Sequence, residues 1–153
     1  MDNKHDELVN EICKFVKNKC FQKKFCKGYK LAIMPKGIKL YGDTTNVITD
    51  FWATDQFEKI VIIGEAKSAK DDVKENKQAK KRFLTQISQY IRRINTPGIK
   101  SGHLIYCMPS TMSSYVLKKI KIEAKRINSK KFFLHFIEEL SIKKEYGHTT
   151  YKI

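Results

Sequence analysis

The sequence predicts an α/β domain whose elements run in the order αβββαβ followed by αβ. Three observations predict it. The run Ile60-Val61-Ile62-Ile63-Gly64 is apolar throughout, as a strand covered on both faces must be. Phe83, Leu84, Ile87, Tyr90, Ile91 and Ile94 recur at helical spacing and end at the stop signal Thr96-Pro97-Gly98. Leu104 to Met108 and Phe132 to Ile137 are two further apolar strands, separated by a helical pattern of Val116, Leu117, Ile120 and Ala124.

The elements follow in order. Leu8, Val9, Ile12, Phe15 and Val16 form the apolar face of a first helix, from about Asp6 to Lys19. Strands are expected at Tyr29–Met34, at Val47–Trp52, where β-branched and aromatic residues cluster, and at Ile60–Lys67. The polar connection Ala53–Glu58 is short enough for a hairpin, so the second and third strands should pair antiparallel. The polar stretch Ser68–Lys81 is either a mobile loop or the beginning of the helix that ends near Ile94. A helix over Ser113–Ile127, the strand at Phe132–Ile137 and an edge strand at His148–Ile153 close the chain. One domain is expected over 1–153, with a core of about 6–108 and a helix-strand extension over 109–153.

Within this frame the central strand ends in charge. Glu65 and Lys67 lie two positions apart, so alternation directs both to one face, with Ala66 turned away. Burying an acid and an amine together is costly unless they are paired, bind a metal or do chemistry. Asp50, fifteen residues earlier, would meet Glu65 across an antiparallel pair. Two carboxylates and the Ala66 backbone carbonyl suit a hard cation such as Mg²⁺, which prefers oxygen and keeps several waters. Lys67 could then orient or deprotonate an attacking water, or steady charge on a phosphate. The competing reading is a structural salt bridge between Glu65 and Lys67, and Asp43 competes with Asp50, although its glycine and threonine neighbours suit a turn better. Asp71-Asp72 reads as a solvated turn or helix start, and His103, His135 and His148 lack metal-ligand spacing.

Thr49-Asp50 with Glu65-Ala66-Lys67 resembles the signature of the PD-(D/E)XK nuclease superfamily, with threonine where proline commonly precedes the first acid. Gln86-x-x-x-Tyr90, nineteen residues after Lys67, resembles the extra motif of the exonuclease-like branch. The resemblance covers about Asp6 to Met108. It implies a restriction-endonuclease-like core, a central mixed sheet flanked by helices, and Mg²⁺-dependent hydrolysis of phosphodiester bonds, with Mn²⁺ able to substitute. It implies metal ligands at Asp50, Glu65 and the Ala66 carbonyl, and catalytic roles for Asp50, Glu65, Lys67 and Gln86. It also implies a supporting glutamate on the first helix, for which Glu11 is chosen over His5. Small members of the superfamily are often homodimers.

Arg82, Gln86, Gln89 and Arg93 fall in one narrow stripe of the long helix beside its apolar face, a set suited to phosphate, with Tyr90 near it. Surface and core duties are the bland alternatives for Gln86 and Tyr90. Composition points the same way: 31 Lys and Arg against 16 Asp and Glu give a formal net charge of +15. Such an excess draws a chain to polyanions by counterion release, and lysine over arginine favours backbone contact over base readout. DNA is the expected partner, with RNA or a non-catalytic DNA-binding role as the alternatives. No apolar run reaches membrane-spanning length, and Cys13, Cys20, Cys26 and Cys107 form no CxxC pair, so free thiols in a reducing cytoplasm are expected.

Overall fold

The structure, a computed structural model, describes residues 3–42, 45–69, 73, 75–140 and 145–153. Its centre is a six-stranded mixed sheet flanked on both faces by helices. The chain opens with α1 (Asn3–Lys17) and α2 (Lys19–Phe25), followed by β1 (Leu31–Met34), β2 (Lys39–Leu40), β3 (Val47–Ile48), β4 (Phe51–Asp55) and β5 (Ile60–Ala66). Then come α3 (Lys77–Ile94), β6 (Ser101–Pro109), a 3-10 turn, α4 (Ser113–Arg126), β7 (Phe133–Glu139) and β8 (Tyr146–Lys152).

The large sheet is ordered β1-β4-β5-β6-β7-β8, and β2 with β3 makes a separate two-stranded ribbon. β4 and β5 pair antiparallel, as the short connection requires, with Phe51 opposite Gly64 and Trp52 opposite Ile63. The pairs β5–β6 and β6–β7 are parallel, which demands long crossovers, and α3 and α4 supply them. All seven residues of β5 are buried, because β5 has a strand on either side and helices above and below. Val61 and Ile63 join the core under α3 and α4, whereas Ile60, Ile62 and Ala66 join the core under α1. Glu65, in phase with Val61 and Ile63, therefore emerges on the α3 side.

Several expectations change. The single helix expected to Lys19 is two: α1 ends at Lys17, and Asn18 caps α2 by accepting from Cys20 N at 2.8 Å. The strand expected over Val47–Trp52 is broken at Thr49-Asp50. Thr49 N donates to Ile38 O at 2.9 Å and Thr49 Oγ1 accepts from Ile38 N at 3.0 Å, which ties this point to the β2 strand. β4 then runs on through residues expected in the connection, because the Asp55 carboxylate accepts from Phe57 N at 3.1 Å and Ile60 N at 2.6 Å and closes the turn there. β2 was not expected, and α3 begins only at Lys77, capped by Asn76. Asp43, Asp71 and Asp72 lie outside the described residues. No helix among the described residues is long and apolar enough to cross a membrane, and all four cysteines are free thiols.

Candidate active site

The break at Thr49-Asp50 brings the two acids together. Asp50 N still donates to Gly64 O at 3.2 Å, so the residue remains beside β5. Freed from regular pairing, its side chain turns over the strand end, where Oδ2 accepts from Ala66 N at 2.8 Å. Its other oxygen lies 3.6 Å from His5 Nε2 at the start of α1.

Glu65 is 2% exposed. The Tyr90 hydroxyl from α3 donates to Glu65 Oε1, and Lys67 Nζ lies 3.8 Å from Oε2. Lys67 Nζ also donates to Gln86 Oε1 at 3.1 Å. One residue beyond β5, Lys67 N donates to Cys107 O at 2.9 Å, which extends the parallel ladder and holds the lysine backbone rigid. Two residues of α3 one turn apart thus grip the acid and the lysine separately, Tyr90 on Glu65 and Gln86 on Lys67.

Burial pushes the Glu65 carboxyl well above the usual carboxylate range, and the Asp50 carboxylate beside it pushes the same way, both by charge and by hydrogen bonding. The Lys67 ammonium and the Tyr90 hydroxyl oppose this. Tyr90 and Tyr106 are raised by burial and by Glu65, so both keep their protons. Tyr106 stands opposite Glu65 in the parallel register, is fully buried, and its hydroxyl has no hydrogen-bond partner among the described residues. Two carboxylates, Glu65 buried and Asp50 half-buried, against one ammonium leave an excess negative charge at the strand end. A proton or a divalent cation relieves it, and an all-oxygen carboxylate set suits Mg²⁺ or Mn²⁺ over softer metals. Among the described residues no three His, Cys, Asp or Glu side chains gather as a ready-made cage. The protein would offer only two carboxylates, a donor number at which Mg²⁺ relies on water and substrate oxygens for the remainder.

Asp50, Glu65, Lys67, Gln86 and Tyr90 come together, with the Ala66 backbone beside them; Glu11, Arg82, Gln89 and Arg93 do not join them. Glu11 lies 3.2 Å from Lys14 and lines a separate cavity with Phe15, Phe21 and His148, because Leu8, Ile12 and Val16 turn inward and roll Glu11 to the flank. His5 is the α1 residue that reaches Asp50. The α3 stripe also divides. Arg93 pairs with Glu58 and lies 5.1 Å above the Trp52 ring, toward the β4–β5 turn and away from the acids. Gln89 Nε2 donates to Thr45 O at 2.8 Å, and Arg82 stands exposed. Ala66 keeps its side chain under α1 and its N–H on Asp50.

Tyr106 was missed; its place opposite Glu65 follows from the parallel pairing of β5 and β6, which one strand alone does not reveal. His103 and His135 are buried in the sheet, with His103 Nδ1 2.9 Å from His135 Nε2 and Thr150 Oγ1 2.9 Å from His135 Nδ1. Burial holds His103 well below the usual imidazole range and His135 down at about 3, so both are neutral core groups, whereas His148 is exposed.

No family model and no curated protein matches this chain. Among solved structures it is similar to an XisH family protein from Nostoc punctiforme PCC 73102, at 15% identity and a TM-score of 0.44 over 99% of each chain. A likeness that slight assigns no chemistry, and the reading of the site rests on the side chains above.

Proposed function

We propose that this protein is a Mg²⁺-dependent nuclease that hydrolyses phosphodiester bonds in DNA, with Asp50, Glu65 and Lys67 as its reaction centre. The observation that carries the reading is the acid pair at the end of β5, Glu65 buried and Asp50 half-buried beside it, with the Lys67 ammonium 3.8 Å from Glu65. A structural salt bridge needs one acid for one lysine; here a second carboxylate raises the cost of the first. Such an arrangement destabilises the resting protein and is best explained by a ligand that needs both acids.

Asp50 and Glu65 would hold the ion, with the Ala66 carbonyl as a further oxygen ligand. When bound, the ion supplies an acidified water and neutralises charge on the phosphoryl group. Every other role falls to side chains. Gln86 holds one Lys67 hydrogen, which leaves the ammonium's remaining donors for a phosphate oxygen or the attacking water. Tyr90 fixes the Glu65 carboxylate and His5 flanks Asp50. Water oxygen bonds to phosphorus, the ester P–O bond breaks, and the departing oxygen leaves as a hydroxyl after gaining a proton. The +15 net charge supports a polyanionic substrate, and the lysine excess favours recognition of backbone, ends or structure over a long base sequence.

The test is cleavage of labelled single-stranded, duplex, flapped and four-way-junction DNA, and of RNA, with Mg²⁺, Mn²⁺ or EDTA. Metal-dependent cutting of DNA that Glu65→Gln abolishes supports the reading. Cutting confined to RNA reassigns the substrate. Binding without cutting on every substrate contradicts catalysis.

A further inference from the structure

α3 and the β2–β3 ribbon border a cleft of about 880 Å³. The ribbon contributes Lys39 and Tyr41, and α3 contributes Ser88, Gln89, Arg92 and Arg93. This volume falls in the range of sites for small molecules and single nucleotide units.

Two features fix the cleft relative to the acids. Gly42 lies so close to α3 that a Cβ there would sit 1.7 Å from Gln89 Nε2, and Gln89 bonds Thr45 O from the same side. The far end of the ribbon is therefore clamped to the helix that also carries Gln86 and Tyr90. At its root, Gly37 adopts φ +72°, and a Cβ there would fall 1.8 Å from Thr49 O. Thr49 directly precedes Asp50, so the ribbon and the first acid share one anchor.

Two large side chains stand exposed on one face of the ribbon. Tyr41 is 79% exposed and Lys39 Nζ lies 5.6 Å from its ring centroid. Ile48, opposite Lys39 in register, is 63% exposed. An aromatic ring held on a pinned ribbon, with cations on both walls, has the composition of a stacking platform for bases whose faces are free. A paired duplex keeps those faces stacked and offers only its backbone and groove edges.

We propose that this cleft binds unpaired nucleotides of the substrate, a base stacking on Tyr41 and phosphates bonded by Lys39 and Arg92, and so delivers single-stranded or frayed strands to the acid pair. The proposal rests on the nuclease reading for its purpose, but not for its measurement. Binding of fluorescently labelled oligothymidylate, oligouridylate and blunt DNA duplex is followed by anisotropy in EDTA, where no metal-dependent cutting occurs, for wild type, Tyr41→Ala, Tyr41→Phe and Glu65→Gln. Tyr41→Ala should weaken binding of the unpaired strands about 5- to 150-fold, the range of one lost base stack. Tyr41→Phe should bind them as wild type does, and duplex affinity should change less than about twofold in either variant. The two oligomers separate DNA from RNA as the preferred strand. Equal weakening on duplex and single strand, or no change on single strand, overturns the proposal. Tyr41 is at the surface, and circular dichroism and thermal melts verify that both variants fold. If no substrate is ever cut, the nuclease reading fails while the anisotropy comparison still decides the cleft.

Discussion

Replacing Lys67 with methionine keeps most of the side-chain volume and removes one charge from the buried corner. The ammonium lies 3.8 Å from Glu65 Oε2, and both side chains are buried. At an effective dielectric of about 20 this attraction is worth roughly 4 kcal/mol when Glu65 is ionised. Relief of the ammonium's own desolvation offsets part of it, and about 3 kcal/mol is the expected cost of breaking a buried pair. The lost bond to Gln86 adds about 1 kcal/mol at any pH. Because the folded pKa of Glu65 is already raised, Glu65 contributes stability below its unfolded pKa that is lost as pH rises through the folded value. Lys67 lowers that folded value, so its removal extends the loss to higher pH. Urea unfolding in EDTA should therefore find Lys67→Met about 1 kcal/mol less stable at pH 5, with the deficit growing toward about 3–4 kcal/mol as pH approaches 9. Adding Glu65→Gln should recover most of the pH-dependent part. A deficit constant from pH 5 to 9, or a double variant whose losses simply add, would refute the coupling.

Other outcomes follow from the same geometry. Tyr90→Phe removes the hydroxyl that lowers the Glu65 pKa, so the acidic limb of the pH–activity profile should move to higher pH while the fold is kept; an unmoved limb would detach Tyr90 from the acid. Asp50→Asn should cut turnover by roughly 10²–10³-fold or more and raise the Mg²⁺ needed for half-maximal rate, whereas Glu11→Gln, on the flank, should change neither by more than about twofold. Gly102→Ala would set a Cβ 1.5 Å from Ile94 Cγ2, a stiff β-branched side chain on α3, and should cost about 2 kcal/mol, or roughly 4–8 °C in a thermal melt. DNA binding should weaken steeply with salt, as counterion release requires; a flat salt response would exclude a backbone-dominated interface.

Much of the fold follows from local pattern. β5 reads as a central strand because the run Ile60 to Gly64 is short, apolar and rich in β-branched residues, as a strand covered on both faces is. α3 was marked by its 3.6-residue repeat and by Pro97-Gly98 beyond its end. The break at Thr49-Asp50 was hidden, because Val47 to Trp52 is rich in β-branched and aromatic residues and the kink depends on Ile38, eleven residues away. α2 was hidden for a different reason: only seven residues long, it has too few turns for a period, and only its Asn18 cap marks it.

The site divides along the same line. Glu65 and Lys67 were readable from strand alternation, and the short hairpin set Asp50 beside Glu65, although the break that turns the Asp50 side chain over the strand end was not legible. The outward members of the α3 stripe were not. Helical angles put Arg82, Gln86, Gln89 and Arg93 side by side, but Glu58, Thr45 and Lys67 decide what each one meets. On α1, with Leu8, Ile12 and Val16 inward, Glu11 pairs with Lys14, and His5, in line with Val9, reaches Asp50.

The most direct measurement is single-turnover cleavage of one labelled DNA, with Mg²⁺ and with EDTA, by wild type, Asp50→Asn, Glu65→Gln and Lys67→Met, with DNA affinity measured on the same samples. Wild type should cut only with the metal, each substitution should abolish or nearly abolish cutting, and all four proteins should bind the DNA with similar affinity. Cutting that persists in the Glu65→Gln protein, or that continues undiminished in EDTA, would contradict the proposed reaction centre.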